Sequence, residues 1–235
     1  MPKIKKNTIS IITFLLLIIF TIILLFIIYK INNPIIYGID DEDSLSFDYK
    51  GKEYCKSVYF VAEENLIYMG LSEIGHSDVY FIGNNESPDY IFISGDDDYG
   101  YFKANDCTID VSGNITKILV DPACGVISNH SLSSKEEIDM IHDLTNIQGE
   151  EKEYFIENYY TQGNPFYYEY NNCPVASNNS LGGYVALVGD ELVYISPKNL
   201  ENAYHSSSNN SITAKGVAIK DKTLLDKILN SKLVK

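Results

Sequence analysis

ISIITFLLLIIFTIILLFIIY, residues 9–29, is an unbroken run of 21 uncharged and mostly aliphatic residues. Coiled as a helix rising about 1.5 Å per residue, it matches a hydrocarbon core of roughly 30 Å. A secretory signal peptide has a shorter apolar region, about 7 to 15 residues, and ends at small residues of the A-x-A kind. This run instead ends at Phe26-Ile27-Ile28-Tyr29-Lys30, with no Ala. No Cys follows it to accept a lipid, the first being Cys55. The expectation is an uncleaved transmembrane signal anchor over 9–29, preceded by a short cytoplasmic segment, 1–8.

Flanking charge sets the expected direction, because basic residues stay on the cytoplasmic side. Lys3, Lys5 and Lys6 precede the run, whereas Asp40, Asp41, Glu42 and Asp43 follow it closely. The N-terminus is therefore expected inside and the C-terminal body outside, with residues 30–44 as an acidic tether. Beyond residue 30 the chain carries 14 Lys against 32 acidic residues, a formal charge of −18. Such a body repels phosphates, which argues against nucleic acid as a partner. The positive surplus lies only in the last stretch, with seven Lys and three acids from Lys198 onward.

Residues 45–235 read as an extracytoplasmic α+β domain of mainly antiparallel sheet with two or three helices, divisible into lobes 45–125 and 126–235. Short aromatic and β-branched runs separated by turn residues give the strands Leu45–Tyr49, Tyr54–Ala62, Val79–Ile82, Tyr90–Ser94, Tyr99–Lys103, Cys107–Val111 and Ile115–Val120. Lys50-Gly51, Asn84-Asn85, Gly95-Asp96 and Gly113-Asn114 supply the turns. Ser134 followed by Glu137 is a capping box, opening a helix whose Ile138, Ile141, Leu144 and Ile147 recur on one side. Residues 150–162 fit either helix or strand. Further strands follow at Phe166–Tyr170, Tyr184–Val188, Leu192–Ser196 and Thr213–Ile219, with Gly189-Asp190 as a hairpin turn. Asp221 caps a last helix that buries Leu224, Leu225, Ile228 and Leu229.

Four Cys lie beyond the apolar run, and an even count in an exported domain permits a disulfide framework with three pairings. If Gly113-Asn114 turns a hairpin, Cys107 falls opposite Val120 and Cys124 lies just past the strand end. The favoured set is Cys107 with Cys124 and Cys55 with Cys173, with four unbridged thiols as the alternative. No CxxC or HxxxH spacing supports zinc. The run Asp96-Asp97-Asp98 fails as an EF-hand, since with Gly100 at the sixth place Gly95 and Tyr99 would have to supply carboxylates.

Catalytic motifs are thin. G-x-S-x-G, S-x-x-K, H-E-x-x-H and glycine-rich phosphate loops do not occur, so no catalytic residue, metal or cofactor is assigned. Nineteen Tyr, clustered at Tyr159-Tyr160, Tyr167-Tyr168 and Tyr170, could line a face for sugar or peptide, since Tyr offers a flat ring with a polar tip. Together these features favour a single-pass membrane protein whose outer domain binds an envelope protein, peptide or glycan. The alternatives are a cell-envelope hydrolase using carboxylates or Cys124, near His130 in sequence, and an immunity-type decoy whose acids capture cationic peptides.

Overall fold

The computed structural model describes residues 3–39, 45–73, 75–83, 88–95, 99–120, 127–128, 130–206 and 210–234. The apolar run lies within α1 (Lys3–Asn32). Its segment Thr13–Asn32 is long and apolar enough to cross a membrane, and none of it is buried against the rest of the protein. Asn33 ends the helix by returning both its backbone N–H and its side-chain amide to the Tyr29 carbonyl, at 2.9 and 3.0 Å. Pro34 follows, a residue that cannot continue a helix.

The chain then enters a sheet at once. Strand β1 (Ile35–Ile36) is followed by β2 (Ser46–Tyr49), β3 (Lys52–Lys56), β4 (Val61–Ala62), β5 (Leu66–Ser72), β6 (Asp78–Ile82), β7 (Tyr90–Ser94) and β8 (Tyr99–Ala104). β1 pairs in parallel with β5. The Pro34 carbonyl accepts from Leu71 N–H at 2.8 Å, and the Tyr68 hydroxyl donates to Asn33 Oδ1 at 2.8 Å. Gly70 makes this approach possible: its φ is +144°, and a Cβ there would stand 2.0 Å from the Pro34 oxygen. Ile39 is fully buried. Within the stretch 30–44 read from sequence as tether, Ile35 and Ile36 thus pair with the first sheet, and Ile39 packs into its core. Residues 40–44, with the acids Asp40–Asp43, lie outside the described residues.

The first sheet runs β1-β5-β6-β7-β8-β3-β2. Alternation along β7 buries Ile91 and Ile93 on one face and Tyr90 and Phe92 on the other, which explains its unbroken apolar run. The first face packs Ile39, Phe47, Tyr54, Phe81 and Phe102 into one core, with the Phe47 and Phe102 rings 4.8 Å apart. The second face is covered by Tyr59, Val61, Cys173 and Val175.

The second sheet is built from β9 (Ile115–Val120), β11 (His130–Leu132), β12 (Glu151–Ile156), β13 (Gly163–Tyr170), β14 (Leu181–Val188), β15 (Glu191–Ile195), β16 (Tyr204–Ser206) and β17 (Ser211–Ala218). β10 (Ile127–Ser128) stands apart and pairs with β4. The order is β11-β9-β13-β14-β15-β17-β12, with β16 also on β17. Helices α2 (Lys135–Thr145) and α4 (Lys222–Leu229) belong to one face, where Met140, Ile141, Leu144, Leu224 and Ile228 pack with Ile118, Val120, Phe166 and Val185. The opposite core joins Tyr154, Ile156, Tyr184, Val193, Ile195 and Ile212 with Leu200 of α3 (Pro197–Glu201).

The local signals for α2, α4 and the β14–β15 hairpin match these elements. Ser134 and Glu137 form the capping box, and the Asp221 carboxylate accepts from Leu224 N–H at 2.9 Å. β14 and β15 pair up to Val188 and Glu191 around Gly189-Asp190.

Several expectations are corrected. The strand expected at 107–111 does not form: Asp110 turns back to accept from the backbone and hydroxyl of Ser112, an Asx-type turn that competes with strand pairing. Gly113-Asn114 is not a hairpin turn either. A Cβ on Gly113 would meet the side chains of Asn171 and Asn172 at 2.3 and 2.4 Å, and Val120 pairs with His130 and Phe166. The run 54–62 splits into β3 and β4. Residues 66–72, crossed by Gly70, form an additional strand, and 151–156 is an edge strand with Tyr154 and Ile156 inward. In chain order the first sheet ends at Ala104 and the second begins at Ile115.

Candidate functional site between the two sheets

The sheets meet along a seam. β4 and β10 pair in parallel, and Phe60 exchanges two backbone hydrogen bonds of 2.8 Å with Ala176. The Phe60 ring stacks on Tyr167, centroids 4.1 Å apart, in a small core with Ala62, Leu119 and Ala176.

Beside this apolar seam lies a polar one. A single 3-10 turn, Glu63–Asn65, carries Glu64 and Asn65 from the first half of the chain to Lys117 of β9 and Glu169 of β13. Lys117 Nζ donates to Asn65 Oδ1 at 2.9 Å and lies 3.2 Å from Glu64 and 3.6 Å from Glu169. Asn65 Nδ2 donates to Glu169 at 2.9 Å and to the Pro174 carbonyl at 3.1 Å, and the Ser131 hydroxyl donates to Glu64. Glu169 is 5% exposed. Burial pushes its carboxyl up to about 6, against the opposing pull of Lys117 and Asn65. Glu64 is drawn the other way: partial burial would raise it, but hydrogen bonds from Lys117 and Ser131 bring it below the usual range. Two carboxyls set apart in this manner can divide acid and base roles where substrate reaches both. Here the raised one is enclosed, so the arrangement acts as a latch between sheets.

A third feature covers the second face of the first sheet. Tyr90 on β7 is 2% exposed and places its hydroxyl 3.3 Å from both Cys107 Sγ and Cys173 Sγ. Burial, with the two thiols adding to it, pushes this phenol well above its ordinary range. Lys103 Nζ donates to the Cys107 carbonyl at 2.5 Å and holds that turn in place.

These positions revise the cysteine pairing read from the sequence. Cys55, Cys107 and Cys173 are unbridged thiols, and Cys124 lies outside the described residues. Cys55 sits on β3 opposite Lys103, which in turn faces Tyr90 on β7. Two strand spacings, about 9–10 Å, therefore separate the Cys55 and Tyr90 backbones, and Cys173 is held at Tyr90 instead of bridging to Cys55. The register argument for Cys107 with Cys124 lapses with the missing 107–115 hairpin. The Asp96–Asp98 run is also outside the described residues. Among those described, no three His, Cys, Asp or Glu side chains are grouped to hold a metal ion.

Most of the clustered Tyr rings are taken up in packing. Tyr159 stacks on Tyr184 at 4.5 Å, Tyr167 on Phe60, and Tyr168 contacts Phe166 and Tyr170. Tyr160 stays 48% exposed, and an aromatic row that sequence reading missed is open as well. Tyr204 of β16 and Phe155 of β12 both register on Thr213 of β17, and they are 74% and 54% exposed. A groove between α2 and α4 collects His142, Asp143, Asp221 and Lys227, with Asp221 engaged as the helix cap. Compared with known protein families, curated proteins and solved structures, the chain matches none.

Proposed function

We propose that this is a single-pass membrane protein, N-terminus inside, whose acidic β-rich body lies outside the cytoplasm and binds an envelope protein, peptide or glycan. The observation that carries the reading is α1: an apolar helix whose Thr13–Asn32 segment buries nothing against its own protein needs another apolar medium. The three Lys before it and the −18 charge after it support the direction.

The binding role rests on the aromatic row. Exposed Phe and Tyr aligned across three strands offer flat, rigid surface at low entropic cost, the property that makes such residues frequent anchors in recognition. The two carboxyls at the seam and the thiols at Tyr90 are explained by holding the sheets together, which favours binding over hydrolysis.

Two measurements test this. Membranes from cells producing the chain are washed with alkaline carbonate, and intact cells are treated with protease. Retention in the membrane with digestion of a C-terminal epitope is expected; release by carbonate or a protected epitope overturns the placement. A photo-crosslinker at position 204 should capture one dominant partner, lost in Phe155→Ala. A cross-linker that captures nothing in intact cells overturns the binding role.

A further inference from the structure

We infer that Cys107 and Cys173 form a disulfide with each other, a covalent staple between the two halves of the chain that the Tyr90 hydroxyl holds ready. This pairing stands on side-chain geometry and is independent of the membrane placement.

Both sulfurs lie 3.3 Å from one hydroxyl oxygen, so they are within two hydrogen-bond lengths of each other. One phenol can accept from the Cys107 thiol while donating to the Cys173 sulfur, which orients both groups toward a common point. The backbones are fixed on either side. Cys107 N–H donates to the Ala104 carbonyl at 3.0 Å, and its own carbonyl is held by Lys103. Cys173 N–H donates to Tyr170 at 3.0 Å, and the next carbonyl, Pro174, accepts from Asn65. Closing the bond moves the Tyr90 hydroxyl out from between the two sulfurs, since both now hydrogen-bond to it. The link would join the segment leaving β8 to the loop after β13, enclosing β9 through β13, and a loop of that length restricts the unfolded chain strongly.

The two thiols differ in access. Cys173 is 3% exposed, whereas Cys107 is half-buried and meets a reagent first. With oxidised glutathione as the oxidant, the Cys107 thiolate attacks one sulfur and expels one glutathione thiolate, leaving a mixed disulfide. The Cys173 thiolate then attacks the Cys107 sulfur and expels the second. Two protein thiols are oxidised, one small disulfide is reduced to two thiols, and the two protein protons end on the released glutathione. Burial pushes the Cys107 thiol up, so the first step speeds up as pH rises.

The chain's composition makes the test direct. With no Arg, trypsin cuts only after Lys, and the four Cys fall in separate peptides, 53–56, 104–117, 118–135 and 153–198. The detergent-solubilised full chain is oxidised with glutathione disulfide, blocked with N-ethylmaleimide and digested. Peptide 104–117 joined to 153–198 is expected as the dominant linked species, absent after reduction, with the preference lost when oxidation is done in guanidinium. A dominant link from Cys107 to Cys55 or Cys124 overturns the inference. So does N-ethylmaleimide on both Cys107 and Cys173, or an equal preference in denaturant.

Discussion

Phe60 lies nearly flat on Tyr167, ring centroids 4.1 Å apart and planes inclined by 30°, although Phe60 sits just ahead of β4 and Tyr167 on β13 of the second sheet. Around this pair the backbone of Phe60 is closed on Ala176 and the neighbouring Ala62 is fully buried. The seam thus joins aromatic packing to main-chain pairing, and loss of the ring should loosen both.

Phe60→Ala is expected to destabilise the protein by about 3–5 kcal/mol, as for other buried aromatic truncations. Chemical denaturation measures the loss, and amide exchange locates it. Protection should fall at Val61–Ala62 and at Ile127–Ser128 together, since among the described residues these strands pair only with each other. A loss below about 1 kcal/mol, typical of a surface change, would show that the stack does not carry the seam.

Glu169 should give stability a pH dependence with a defined sign. Its folded carboxyl sits at about 6 against an ordinary 4.5, so the folded state holds this proton more tightly than the unfolded chain. That contribution is complete below 4.5 and disappears as pH rises through 6. It amounts to about 2 kcal/mol at most. Stability of the wild type relative to Glu169→Gln should fall by that order between about pH 4 and pH 7. Parallel profiles for the two proteins would contradict the enclosed carboxyl.

Gly70→Ala addresses the junction of helix and sheet. The added methyl would collide with the Pro34 oxygen, at a φ of +144° that side chains rarely adopt. A cost of about 2–4 kcal/mol is expected, combining backbone strain with loss of a strand contact. Faster proteolysis within residues 33–39 should accompany it. Unchanged cleavage would mean that β1 holds without this contact.

The two caps on the helical face make a matched pair. Ser134→Ala removes the acceptor for Glu137 N–H and the partner of its carboxylate, while Asp221→Ala removes the acceptor for Leu224 N–H. Each should cost about 1 kcal/mol, read as a lowered thermal midpoint. A neutral result at either would indicate that packing alone sets that helix start.

Features encoded within a few residues were legible in the sequence, and features assembled across the chain were not. The capping box at Ser134, the Asp221 cap and the Gly189-Asp190 hairpin each depend on neighbours two to four positions away. The latch joins Asn65, Lys117 and Glu169, which no period or spacing connects, because burial of Glu169 is decided by how two sheets meet. The 107–111 segment misled for the opposite reason: its alternation suits a strand, but Asp110 satisfies its own backbone locally. β5 escaped notice because Gly70 breaks a pattern whose purpose is contact with Pro34. The register argument for Cys107 with Cys124 lapsed with the hairpin on which it depended.

The close approach of Gly70 to Pro34 leaves no slack between the apolar helix and the body. On the proposed placement the domain is mounted close to the bilayer, with Asn33 and Pro34 alone between α1 and the edge strand β1, so a tilt or roll of α1 acts directly on the first sheet. A ligand must then come to the lipid surface to be met, and binding on the body could in turn be felt as torque on the helix.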